Sequence, residues 1–434
     1  MVERDNNTVR AIAWSEVFPW LSILRVFRVA ISARALVLGA VGILLTATGW
    51  WLVGGIFSTA SEPTAWLNDF GDCPWMAVTE AVPNRPILSD TSRHQSSQYK
   101  YYKSAAGPHW RPRDPVASPW LLMTSPVREG LTYTDFPVQA VARLLLCGLW
   151  GVAVWAFFGA AICRIAAVQL AAGEQVGWSA AMRYAAKKWP SYFASPLFPI
   201  GGVLLATIPV CILGLIMKTN VGLLLGGLLW PLALVAGLFM ALLLLGVLFG
   251  WPLMWATISA EGTDSFDALS RSYAYTFQRP LHYLFYAVVA GFIGWLGWVL
   301  VQNFAAGVIW MGYWAAAWGC GTTQIDSIMG VGKELSGPAW FGAGLIRFWA
   351  GCVKLLAVGY LFSYFWTAAV AIYFLLRRDV DATEMDEVYL DADASEQTFG
   401  LPAVATDEAG APVAEDIVVE NEPNGPGDPS QAGS

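Results

Sequence analysis

Residues 221–260 read VGLLLGGLLWPLALVAGLFMALLLLGVLFGWPLMWATISA, forty consecutive positions without one ionisable side chain. A hydrocarbon core of about 30 Å is crossed by about 20 apolar residues rising about 1.5 Å each, so this stretch belongs in a membrane. Whether it forms one span or two decides the fold. The breakers strong enough to close a hairpin, Trp230-Pro231 and Gly250-Trp251-Pro252, sit near the two ends and leave one arm too short to cross. One long, kinked helix is the expectation.

Five further apolar stretches lie around it: 36–57, 144–163, 197–217, 281–304 and 355–376, against 222–249 for the span just read. Each is long enough to span, and their ends carry Arg, Lys, Trp and Tyr. The sequence thus predicts an all-α integral membrane protein with six transmembrane helices. The first stretch is no cleaved signal: it has 22 residues behind 35, where a secretory core has about 7 to 15 behind a short basic region.

Charge divides the chain. All 25 Lys and Arg lie between Arg4 and Arg378, where they face 17 acidic residues for a net +8. From Asp379 to Ser434 there are 15 acids and no Lys or Arg. A basic body suits anionic lipid headgroups, and a Pro- and Gly-punctuated acidic tail is read as largely disordered. The predicted divisions are an N-terminal arm over 1–35, a membrane domain over 36–378 and a cytoplasmic tail over 379–434. With six spans, thirteen Lys and Arg of the short loops fall on one side and five on the other, so both termini are expected in the cytoplasm and the chain in a bacterial inner membrane. A seven-span arrangement divides them twelve to six, and turn chemistry rather than charge decides against it.

Spans 1, 3 and 5 each follow a basic, aromatic segment with helical periodicity. Before span 1, Trp20, Leu24, Phe27 and Ile31 share a face, with Arg25, Arg28 and Ser32 towards another. Before span 3 stands Ser179 to Trp189, with Lys187 and Lys188, closed by Pro190; before span 5, Asp264 to Gln278, closed by Arg279-Pro280. These are read as interfacial elbow helices, giving a unit of elbow plus two spans used three times. Arg25, Arg28, Lys187, Lys188, Arg377 and Arg378 are the expected headgroup anchors.

Asp264 to Gln278 carries the sharpest local signals. Asp264 can cap the helix, Asp267 sits in its first turn, and Asp267 and Arg271 are spaced four apart to pair. Phe266, Leu269, Tyr273 and Phe277 form an apolar stripe. Glu261, Asp264, Asp267, Arg271 and Arg279 make the one candidate interaction site, weighed against a plain interfacial helix. Ala260-Glu261 followed by Ala268-Leu269-Ser270-Arg271-Ser272-Tyr273 resembles a pattern in bacterial multi-pass families, among them the membrane domain attached to some glycerophosphodiester phosphodiesterases, over about 178–305; Arg377 to Thr383 resembles the end of other bacterial membrane proteins of this size. The resemblance implies elbow helices and spans and transfers no catalytic residue, since the chain has no room for the separate catalytic barrel.

The 58–142 loop is expected on the outer side as a lobe covering the spans, with Trp310 to Trp318 and Trp340 to Lys354 as interfacial or re-entrant helices beneath it. His94 and His109 fit no metal-ligand spacing, so no metal is expected. Cys73 and Cys320 both fall on the outer side, where a disulfide is allowed; Cys147, Cys163, Cys211 and Cys352 read as small core residues.

Chemistry is sparse. There is no Walker loop, dinucleotide fingerprint, nucleophile elbow or HExxH helix, no catalytic residue is assignable, and no cofactor is implied. The basic residues hug span ends, which argues against nucleic acid. The six span cores hold no Asp, Glu, Lys or His, which argues against an ion-coupled carrier. The expected partners are membrane lipids and a protein in the membrane. The expected role is a non-catalytic scaffold or accessory component, followed by a permease or handler of lipid or apolar solutes, then a membrane enzyme. A closed bundle favours the first, a lipid-sized groove opening sideways the second, and converging carboxylates in a polar cavity the third.

Overall fold

The computed structural model describes residues 18–57, 74–79, 82, 84, 114–132 and 138–389. Residues up to Val388 form one compact unit and Tyr389 begins a second. Among the described residues every regular element is a helix: after a turn of 3-10 helix at Pro19–Ser22 come α1 (Ile23–Ala30), α2 (Ala33–Ile56), α3 (Pro74–Thr79), α4 (Ala117–Thr132), α5 (Val138–Ala171), α6 (Trp178–Ile216), α7 (Asn220–Glu261), α8 (Ser265–Gln278), α9 (Pro280–Cys320), α10 (Thr322–Ile328) and α11 (Pro338–Asp381). Six of them, α2, α5, α6, α7, α9 and α11, are long and apolar enough to cross a membrane. The protein is an all-α multi-pass membrane protein. The forty-residue run is one helix, α7, unbroken through Pro231 and Pro252.

Burial inverts the order of hydropathy. In α11, 89 % of the most apolar window is buried, against 11 % in α7 and 6 % in α6, although α7 is the most apolar of the six and α11 the least. Lipid accepts leucine as readily as a protein core does, so Leu-rich helices stay outside while the helix carrying Tyr, Trp, Ser and Thr is drawn inside, where those groups find partners. Tyr364 donates to Ala290 O at 2.8 Å, Tyr360 to Gly294 O at 3.4 Å and Ser363 to Ala30 O at 2.7 Å, tying α11 to α9 and α1. The antiparallel α2 and α5 exchange indole bonds: Trp50 donates to Cys147 O at 2.9 Å and Trp150 to Leu45 O at 3.0 Å.

Several sequence expectations are corrected. Ser179 to Trp189 is no separate elbow, because α6 runs on through Pro190, Pro196, Pro199 and Pro209. Helix packing and local adjustment satisfy the carbonyls that proline leaves free, so proline does not end a membrane helix as it would a soluble one. The threefold elbow unit is therefore interrupted at its second copy. The Trp310 to Trp318 and Trp340 to Lys354 segments are the ends of α9 and α11, not separate helices beneath a lobe.

The faces of α1 and α8 are also turned. In α1, Ile23, Val26, Val29 and Ala30 are buried while Leu24 and Ile31 are exposed. In α8 the docked face is Ala268, Ser272, Tyr275 and Thr276, and Phe266 and Phe277 point outward. Ser272 donates to Gly250 O at 2.6 Å and Tyr273 to Leu243 O at 2.6 Å. Small hydroxylated residues let α8 lie close on Gly246 and Gly250 of α7, whereas the large apolar stripe is left to the surroundings.

The largest correction falls in the 58–142 loop. One described part, 114–132, inserts among the spans: α4 buries Leu122, Thr124 and Ser125 and packs against α5 and α11. Trp120 donates to Leu248 O at 2.7 Å and stacks on Phe249. Asp114 opens the helix, its Oδ1 accepting from Val116 N at 2.7 Å and Ala117 N at 3.0 Å. A carboxylate thus lies against Gly291 in the first half of α9, although none was read in any span core.

Candidate functional site

The predicted cluster around Glu261 is only partly assembled. Glu261, ending α7, accepts from Arg271 at 3.0 Å through Oε1 and pairs with it at 2.8 Å through Oε2. Arg377 of α11 lies 3.6 Å from the same carboxylate, and Tyr373 donates to it. Burial is the largest single influence on Arg271 and opposes its charge, but the Glu261 carboxylate together with Tyr373 and Tyr275 outweighs it, and its pKa is raised. Arg271 therefore turns to Glu261 and not to Asp267, because α8 folds back on α7 and brings the half-buried acid nearer than the exposed one. Asp264 caps α8 through Phe266 N and Asp267 N, both at 3.0 Å, and takes no other role; Arg279 stands exposed at the turn into α9.

Around this cluster the carbonyls ending α7 accept from donors on neighbouring helices. Tyr184 donates to Ile258 O at 2.7 Å, Arg164 to Ser259 O at 2.9 Å and Lys188 to Gly262 O at 2.6 Å. Cations at a helix C-terminus meet the negative end of its dipole. The anchor expectation changes accordingly. Lys188 serves as a helix cap, and Arg377, only 4 % exposed, pairs with Glu261 and donates to the carbonyls of Glu384 and Glu387 at 2.9 and 2.7 Å. Arg378 is half-buried, while Arg25, Arg28 and Lys187 are exposed, as headgroup contact requires. These charges hold helix ends together.

A cavity lies between α2, α4, α5, α6 and α7. It is a narrow groove with a cavity volume of about 70 Å³, partly open to the outside. Its wall includes Trp50, Trp155, Trp251 and Trp255, Leu122 and Met123 of α4, Ile200 of α6, and Val247 and Leu248 of α7. Among the described residues no charged side chain lines it. The hydroxyls of Thr46 and Thr124 are turned away, donating to Gly42 O at 2.8 Å and Trp120 O at 2.7 Å, so the wall is apolar in chemistry as well as composition. Gly148 and Gly151 of α5 supply the space: a methyl group on Gly151 would come no closer than 3.9 Å to Trp50, and one on Gly148 3.5 Å to Pro126.

None of these groove residues was read in the sequence as a binding wall, although Trp251 was named within a breaker and Cys147 as a core residue. The one available signal was Asp114-Pro115-Val116-Ala117-Ser118, a helix start before the apolar Trp120-Leu121-Leu122-Met123, within a loop otherwise rich in polar residues. Cys320 carries a free thiol that donates to Ala316 O at 3.2 Å; its predicted partner Cys73 lies outside the described residues, as do His94, His109 and the tail beyond Tyr389. Among the described residues no three His, Cys, Asp or Glu come together as a metal site. No family model matches the chain, and neither a curated protein nor a solved structure matches it.

Proposed function

We propose that this membrane protein binds lipid, taking an acyl chain into the groove between α4, α5, α6 and α7. One observation carries the reading: an apolar, tryptophan-lined groove, partly open, lies among helices whose outward faces are themselves apolar. Leu204, Leu205 and Ile208 of α6 and Leu238, Phe239, Leu242 and Leu245 of α7 are exposed beside it. A chain leaving the bilayer would pass along these surfaces without meeting water, and the α4 segment forms the wall that a simple bundle would lack. The basic helix ends meet just beyond Trp255, and under the positive-inside rule that side and both termini belong to the cytoplasmic face of an inner membrane.

The experiment is quenching of tryptophan fluorescence by phospholipids brominated along the acyl chain, in the wild type and in Gly151→Leu. The substituted side chain grows into the groove while its first carbon meets only ordinary contact. Saturable quenching lost in the variant supports the reading, and quenching that rises only linearly with lipid and is equal in both refutes it.

A scaffold role is the second reading. The exposed apolar face of the α6–α7 hairpin favours it, and a stoichiometric protein retained in native mass spectrometry without lipid would place it first.

A further inference from the structure

A second, polar cavity lies where α9 turns into α11 through α10, with a volume of about 280 Å³. Its base is folded. Ala343, 3 % exposed, packs with Ile325 and Ile328 in a small core of their own, and Val331 N and Gly332 N both donate to Asp326 O, at 2.9 and 3.0 Å. Among the described residues three charged side chains line the cavity: Lys333, Glu334 and Arg347. Arg347 reaches from α11 to the facing turn, where a methyl group on Gly330 would sit 3.9 Å from its Nη1. Its Nε donates to Ala343 O at 3.4 Å, and among the described residues neither it nor Lys333 forms an ion pair with Glu334. Charges of opposite sign thus border one space without meeting across it.

We propose that this cavity binds a phosphodiester carrying an ammonium group, the chemistry shared by an ethanolamine phospholipid headgroup and its free, deacylated counterpart. The site is separate from the groove and does not depend on it. Arg347 offers the planar fork that matches two phosphate oxygens, and Lys333 adds a point charge. Glu334 answers the ammonium. Trp340 borders the same space, and an aromatic ring favours an ammonium as well. Other ligand classes leave a charge unmatched. A lone phosphate would lie beside the Glu334 carboxylate, a metal cation beside Lys333 and Arg347, and an apolar molecule would desolvate all three. A diester, with one negative charge, is repelled less by Glu334 than a monoester carrying about −1.5 to −2. The cavity falls just below the range of small-molecule sites, about 300–1,000 Å³, as a headgroup-sized ligand requires.

The test compares glycerophosphoethanolamine with glycerophosphoglycerol, which has the phosphate without the ammonium, by calorimetry on the full-length protein in maltoside. The corresponding dioleoyl lipids are compared by native mass spectrometry. The ammonium-bearing diester is expected to bind about tenfold tighter in one form or the other, about the worth of one charge-assisted hydrogen bond. The form that shows the preference identifies the source, free diester or membrane lipid. In Glu334→Gln that ratio is expected to fall towards one through weaker binding of the ethanolamine diester, and in Arg347→Gln both diesters are expected to bind about tenfold more weakly. Both side chains are exposed, so the variants are expected to fold. Equal binding of the two diesters to the wild type in both forms, binding of neither, or a preference that survives in Glu334→Gln would overturn the proposal.

Discussion

Gly39 of α2 and Gly359 of α11 touch through their backbones. A methyl group on Gly359 would sit 2.5 Å from Leu36 O, and one on Gly39 would overlap Gly359 O. The obstructing atoms are main chain and cannot rotate away, so the two helices would have to separate along the crossing. Gly39→Ala and Gly359→Ala are expected to destabilise the protein by about 2–3 kcal/mol. Gly201→Ala on α6, where nothing lies within 4 Å, is expected to be neutral or to gain up to about 1 kcal/mol from helix propensity. Unfolding in mixed micelles of SDS and maltoside measures all three.

Arg377 and Arg271 share Glu261 but not its surroundings. Arg377 is 4 % exposed and Arg271 44 %. Arg377→Ala is expected to cost about 2–4 kcal/mol, since it strips a buried charge partner from Glu261 and a donor from two carbonyls of the segment after α11. Arg271→Ala is expected to cost less than about 1 kcal/mol. The same denaturation assay checks the order, and an equal effect of the two would contradict it.

Glu129 near the end of α4 supplies a pH dependence. Burial pushes its carboxyl from 4.5 up to about 7, against the pull of Arg128 and Arg143, and its Oε2 meets no donor. The folded state therefore holds this proton more tightly than the unfolded chain. Its contribution is fully present below pH 4.5 and is lost as pH rises towards 7 and beyond. Glu129→Gln, which mimics the protonated form, is expected to match the wild type at pH 4.5 and to be more stable at pH 8. After discounting for the half-exposed position the gain is about 1 kcal/mol. Melting temperatures at the two pH values read it directly.

Asp114 holds the start of α4 through one oxygen. Asp114→Ala is expected to cost about 1 kcal/mol and to raise amide exchange across Val116 to Leu122, whereas Asp114→Asn keeps an acceptor and most of the protection. Hydrogen-exchange mass spectrometry separates the two. Equal protection in all three proteins would mean that packing by Trp120 and Leu122 alone seats the helix.

The six spans were legible because a charge-free run of 20 or more residues has few other fates. The count survived even the forty-residue α7, whose prolines were rightly read as too near its ends for a hairpin. What pattern reading missed is which side chains dock a helix onto its neighbours. The stripe of Phe266 and Phe277 was legible, but not that Ser272 would dock the helix by reaching a carbonyl of α7. Pattern reading also treated α4 as an outer loop, since a helix bearing Asp114, Ser118, Thr124 and Ser125 falls below any hydropathy threshold. Those polar atoms are satisfied one by one inside the bundle, a fact that only the fold displays. The Glu261–Arg271 pair was partly foreseen as members of one site, and its third member, Arg377, lies too far along the chain for spacing to suggest.

The exposed apolar face of α7 runs from Val221 to Leu245, a length of about 37 Å, while the turns from Gly250 to Ala260 are buried in the bundle. That face is somewhat longer than a hydrocarbon core of about 30 Å. Tilting of the hairpin or local thickening of the bilayer absorbs the excess, at a cost that grows with each ångström of mismatch. Bilayers of different thickness would therefore seat the hairpin at different inclinations.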